Sequence, residues 1–96
     1  MSDESRAASE VPLPGGDFRL LVQKLAYQAL IALGVVDNPL TGSRRTNVAG
    51  ARSVLADLEM LQDKTTGNLT PEEAEHLDRV LREVERHFEA VESAQE

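Results

Sequence analysis

The sequence predicts an all-α fold, a three-helix domain whose apolar first helix packs on an antiparallel hairpin of the second and third. Three observations carry this prediction. Apolar residues recur at helical spacing in three separate segments, and no stretch alternates with the period of two that a half-buried strand shows. Aromatics make up only 3% of the chain, with one Tyr, two Phe and no Trp. Leu, Val, Ile and Ala must then build the core, which suits packed helices. Finally, Thr70-Pro71-Glu72-Glu73 reads as a helix start: Thr at the N-cap, Pro at the first helical position and Glu at the third.

The first helix is expected from Phe18 to Leu33. Gly16 or Asp17 caps it, and Gly34 ends it in a left-handed conformation. Phe18, Leu21, Val22, Leu25, Ala29, Ala32 and Leu33 form its main apolar stripe. Leu20, Tyr27, Leu30 and Ile31 form a second stripe on the opposite side, broken by Arg19, Gln23, Lys24 and Gln28. The connection Val35–Thr46 holds the turn signals Asn38-Pro39 and Thr41-Gly42. It is long for a helix–helix link and is expected to wrap over the bundle. Asn47 or Thr46 caps a second helix, Val48 to Thr65, with Val48, Ala51, Leu55, Leu58 and Leu61 on its apolar side. A short link, Thr66-Gly67-Asn68-Leu69, with Gly67 expected at C′, makes the next two helices an antiparallel pair. The third helix runs from Pro71 to Val91. Ala74, Leu77, Leu81, Val84, Phe88 and Val91 repeat in a three–four pattern. Glu75–Arg79 and Asp78–Arg82 are favourable i,i+4 pairs on its outer face.

These elements divide the chain into a disordered acidic tail at 1–16, a single helical domain at 17–93 and a disordered end at 94–96. At 96 residues there is room for one small core. The net charge of -7 argues against nucleic acid, whose binding requires neutralised phosphates. With no Cys, disulfides, thiolate catalysis and Cys-ligated zinc are excluded. The start of the sequence lacks a basic stretch followed by an apolar run. The most apolar segment, Leu25–Val36, is too short to span a bilayer. A cytoplasmic protein without a membrane span is the expectation.

Charge is uneven along the chain. Arg19, Lys24, Arg44, Arg45 and Arg52 stand against Asp37 alone between Phe18 and Ala56, a net of +4. From Asp57 onward twelve acids face Lys64, Arg79, Arg82 and Arg86, a net of -8. The plainer reading is an acidic helix neutralising a basic neighbour; the sharper is a basic surface that docks an acidic partner.

The run Leu58-Glu59-Met60-Leu61-Gln62-Asp63-Lys64-Thr65-Thr66-Gly67-Asn68-Leu69-Thr70-Pro71-Glu72-Glu73 resembles the core of the domain-of-unknown-function family 1844. That family pairs an L-x-M-L-x-x-K-T-x-G-N-L-T-x-E-E run with an earlier apolar helix ending in Leu-Gly. Leu33-Gly34 and the following Asn38-Pro39-x-Thr41-Gly42 fit the second element, so the resemblance extends over Phe18 to Val91. Ala56-Asp57 departs from the Ile-Asp of that family. The resemblance implies a small bacterial helical protein. It brings no established activity and transfers no catalytic residues.

Four places invite a chemical reading. Lys64-Thr65-Thr66-Gly67-Asn68 suggests a phosphate cradle, but it lacks the spacing of a P-loop and the strand before it. Helix-capping roles account for the same residues. Glu73 and His76 have the E-x-x-H spacing of dimetal carboxylate sites. They flank the seam rather than face it, however, and His76 and His87 are expected on the surface. Arg44 and Arg45 stand before a helix N-terminus and form the best candidate contact for an anion. The stripe Leu20, Tyr27, Leu30 and Ile31 has no covering element in a single copy, apart from Val36 and Leu40 of the long loop, and is the candidate interface. The sequence is thus read as a non-enzymatic interaction module, self-associating or docking a protein, with no cofactor and no metal. The alternative is a regulatory binder of an anionic ligand at Arg44 and Arg45.

Overall fold

The computed structural model describes residues 16–95. The tail expected at 1–16 lies outside them apart from Gly16. Three helices follow in order: α1 (Phe18–Ala32), α2 (Val48–Lys64) and α3 (Pro71–Ala94). Each packs on the other two. Among the described residues there is no strand, and no helix is long and apolar enough to cross a membrane.

Local chemistry fixes each helix end. Asp17 caps α1, its Oδ1 accepting from the Arg19 backbone N–H at 3.0 Å. At the other end Gly34 takes φ +75°, Val35 N–H donates to the Leu30 carbonyl and Gly34 N–H to that of Ile31. This is the paired-bond Schellman stop, and Val35 packs on the core behind it. Asn47 caps α2 by accepting from Gly50 N–H at 2.9 Å. Thr70 and Glu73 form the expected capping box, at 3.1 Å and 2.9 Å.

The connection between α2 and α3 uses the Lys64–Asn68 run as helix-ending chemistry. The hydroxyls of Thr65 and Thr66 donate back to the carbonyls of Leu61 and Gln62, at 2.6 Å and 2.9 Å. Those carbonyls belong to the last turn of α2, where intrahelical donors run out. Asn68 N–H then donates to the Thr65 carbonyl, and Gly67 turns the chain at φ +85°. Gly67 stands two residues beyond the cap Thr65, one later than the expected C′ position, because Thr65 and Thr66 extend the stop.

All three helices meet in one core. Val22, Ala29 and Leu33, with Ala51, Leu55 and Leu58, face Leu77, Leu81, Val84 and Phe88. Several expectations are corrected by this packing. Leu21, expected in the main stripe of α1, is 43% exposed. It sits about 100° around the helix from Val22, and the packed face is centred on Val22, Ala29 and Leu33. Ala74 is exposed, so the seam of α3 begins at Leu77. Leu40, expected to cover part of the second stripe, is 92% exposed. The third helix continues past Val91 to Ala94 with Gln95 as its cap, beyond the boundary expected at residue 93.

The antiparallel hairpin is clasped at its open end by a charged side chain. Arg52 of α2 reaches Glu92 of α3 at 2.9 Å, and its guanidinium lies over the Phe88 ring, 5.0 Å from the centroid. A basic residue of the +4 segment thus meets an acid of the -8 segment, the plainer reading of the charge pattern at this contact. Of the two i,i+4 pairs expected on α3, Asp78–Arg82 closes at 3.0 Å. Glu75 and Arg79, both among the described residues, do not close into an ion pair.

Candidate functional site

The outward face of α1 carries the residues singled out as an interface, and the structure treats them unequally. Tyr27 is 47% exposed at the middle of the helix. Leu20, Leu30 and Ile31 are half-buried. None of the four belongs to the core or to the apolar residues packed against it. Lys24 lies between Leu20 and Tyr27 on the same face, by helical spacing. The face is therefore apolar with a cation set within it, and narrower than a fully open stripe.

The loop between α1 and α2 lies beside part of this face at Ile31, and Leu40 takes no part in covering it. Ile31 lines a hollow of about 460 Å³ together with Asn38, Thr41, Ser43 and Arg45. A second hollow of similar size shares Ile31, Asn38 and Arg45 and extends to Gln28 and Asn47. The loop holds itself in place. Asn38 accepts from Gly42 N–H at 2.7 Å through its carbonyl, and from Leu40 N–H at 2.9 Å through Oδ1. Asn38 N–H donates to the Ser43 carbonyl at 2.8 Å. Asn38-Pro39 thus forms an Asx-type turn. Asn47 N–H ties the end of the loop to the Ala32 carbonyl at 2.6 Å.

The two arginines of the anion candidate part company. Arg44 is engaged by Asp37 at 2.7 Å. Arg45 is exposed and lines both hollows. At the helix N-terminus beside them, the Asn47 side chain already accepts from Gly50 N–H. What the loop offers an anion is therefore Arg45 with the hydroxyls of Thr41 and Ser43, which sit 2.9 Å from each other.

Glu73 and His76 do not converge. Glu73 serves the cap of α3, and among the described residues no group of three potential metal ligands exists. His76 corrects the expectation of a surface histidine. It is half-buried, and Gln23 Nε2 of α1 lies 3.5 Å from its Nε2. Its Nδ1 is shut off from solvent with no hydrogen-bond partner. Burial lowers its pKa from the ordinary histidine value, and Arg79 and Arg19 lower it further against an opposing pull from Asp17. No sequence signal marked Gln23 as its neighbour, because the pairing depends on how α1 crosses α3.

No curated protein and no solved structure matches the chain. A family model described as Domain of unknown function (DUF1844) matches residues 16–90. The match takes in α1, the self-bonded loop, the Thr65–Thr70 connection and most of α3. With that much of the fold inside it, the chain belongs to the DUF1844 family.

Proposed function

We propose that this protein is a non-enzymatic helical interaction module that self-associates through the outward face of α1. The observation that carries the reading is Tyr27, a large amphipathic side chain left 47% exposed on the face opposite the core. Leu20 and Ile31 stand on the same face, outside the core. Tyr gives a large rigid contact area at small entropic cost, which is why it recurs at interfaces. The buried faces of the three helices are used up on one another, so among the described residues no helix is left to cover this one. A second copy supplies an identical face in a symmetric contact.

Sedimentation equilibrium at roughly 100 μM, a weak-dimer regime, tests the reading. The wild type is expected to be dimeric, and Tyr27→Glu with Ile31→Glu monomeric with an unchanged helical signal. A wild-type monomer ends the proposal, and a dimer that survives both charges moves the interface elsewhere. The module acts in the cytoplasm on this reading.

A second reading rests on Arg45 in the hollow with Asn38, Thr41 and Ser43. There the protein is a regulatory binder of an anionic ligand, with Arg45 as the main contact and Arg44 subordinate to Asp37. Phosphate would then raise the melting temperature in a salt-sensitive way, and Arg45→Gln would abolish that rise. No rise in the wild type removes this reading.

A further inference from the structure

We propose that two copies of this chain pair their first helices antiparallel, with Lys24 of each copy lying on the Tyr27 ring of the other. The inference rests on self-association through α1 and fixes its direction and register. Leu20, Lys24, Tyr27 and Ile31 stand four, three and four residues apart. At about 100° per residue they fall within roughly 60° of one another, so they form one narrow seam on the outward side of α1. The spacing is that of alternating d and a positions in a coiled coil, where a lysine at an a position sets the pairing at some cost in stability.

The cation within the seam decides the direction. α1 carries no acid from Phe18 to Ala32, so its own helix offers Lys24 no counter-charge. In a parallel pair every seam residue meets its own copy. Lys24 would face Lys24 of the partner subunit between apolar neighbours, which adds like-charge repulsion to the cost of desolvation. The four–three–four spacing, however, reads the same in both directions. Turned antiparallel about the point between Leu25 and Ala26, the seam brings Leu20 to Ile31 of the partner subunit and Lys24 to the partner's Tyr27, each contact occurring twice. Apolar ends then meet apolar ends. Each ammonium meets the face of an aromatic ring, an attraction that strengthens as water leaves the contact. The lysine stem and the tyrosine ring supply apolar area, while both polar tips reach the wet edge.

The surroundings leave the seam open to a second helix. Lys24 and Tyr27 are exposed at its centre. Leu20 and Ile31 are half-buried yet stand outside the core, and Ile31 borders a hollow of about 460 Å³ through which a leucine side chain can approach it. The seam is also short. α1 has 15 residues, a length of roughly 22 Å. Four seam positions on such a helix make a small contact, which belongs to a weak and reversible dimer.

Disulfide pairing tests the direction, since the chain has no cysteine of its own. Leu20→Cys and Ile31→Cys are prepared as separate full-length chains, checked for the wild-type helical signal, and held at about 100 μM in a glutathione redox buffer, alone and mixed. Mass spectrometry identifies the linked positions. The mixture is expected to join position 20 of one chain to position 31 of the other, and each variant alone to stay largely reduced. Links of 20 to 20 and 31 to 31 in the single variants overturn the antiparallel seam and leave self-association standing. A wild type that sediments as a monomer removes both, and a wild-type dimer without a selective link overturns the seam. A second set of variants needs no cysteine. Tyr27→Glu alone should keep the dimer within about tenfold of the wild-type Kd, because each new carboxylate meets Lys24 of the partner subunit. Adding Lys24→Glu should leave only monomer, because carboxylate then meets carboxylate. Loss of the dimer in Tyr27→Glu alone overturns the pairing of Lys24 with Tyr27.

Discussion

Two glycines show that the same backbone conformation has different consequences in different surroundings. Gly67 (φ +85°) and Gly34 (φ +75°) both occupy the left-handed region that L-residues avoid. A Cβ on Gly67 would meet nothing within 4 Å, whereas one on Gly34 would stand 2.8 Å from Thr46 Oγ1. Gly67→Ala should therefore cost only the conformational term, about 1–2 kcal/mol. D-alanine there should restore the urea midpoint. Gly34→Ala should cost more, because it also pushes on the segment that delivers Asn47 to the α2 cap. Equal losses at the two positions would show that the contact with Thr46 is immaterial. Asp17 provides a pH-dependent counterpart at the same scale. Hydrogen bonds from the Arg19 side chain and backbone hold its carboxyl below the ordinary aspartate value. The folded value being the lower one, its contribution is present at neutral pH and is lost as pH falls through that folded value. In Asp17→Asn, which still caps, this component of the acid-side loss should be absent from urea midpoints measured between about pH 2 and 5.

Helices and their ends were largely legible because their signals are local. Thr70-Pro71-Glu72-Glu73, Leu33-Gly34 and Asn38-Pro39 each act within a few residues, and the structure uses each of them in the expected way. What was not legible depends on how helices cross. Leu21 looked like a core residue from spacing alone, yet it falls outside the packed face once α2 and α3 fix where that face lies. His76 looked like a surface residue until α1 brought Gln23 against it. Arg52 is the third example, since no local spacing joins it to Glu92 and Phe88, forty and thirty-six residues on. Its energetic role is bounded by its exposure. The Arg52 and Glu92 side chains are 61% and 44% accessible, so solvent screens their attraction. A double-mutant cycle on Arg52→Ala and Glu92→Ala should give a coupling of roughly 0.2–1 kcal/mol, shrinking with salt. Part of the Arg52→Ala loss should persist in the Glu92→Ala background, because the guanidinium also covers Phe88. A coupling near zero at low salt would leave the contact with Phe88 as the whole of the clasp.

The molecule as a whole has a single core, and every helix contributes to its most enclosed part. Val22 of α1, Leu58 of α2, and Leu77 and Val84 of α3 are all at most 2% exposed. No pair of helices keeps a separate set of buried contacts, since α1 packs on both members of the hairpin. The hairpin alone would expose the side of Leu58 and Leu77 that α1 covers, and an isolated two-helix pair of this length buries little. Global unfolding should therefore be cooperative. Tyr27 makes this measurable. It is the only Tyr in a chain without Trp, so its fluorescence reports on α1 while the far-ultraviolet helical signal reports on all three helices. The two signals should fall at the same urea concentration. Leu58→Ala should cost about 2–5 kcal/mol, because a leucine enclosed on every side leaves a cavity that its neighbours cannot fully close. Stability for a domain of this size is on the order of 5–10 kcal/mol. Such a loss should move both transitions down together by a large fraction of the wild-type midpoint. If the Tyr27 signal fell first and the helical signal survived, the hairpin would be a folding unit in its own right, and α1 an arm docked upon it.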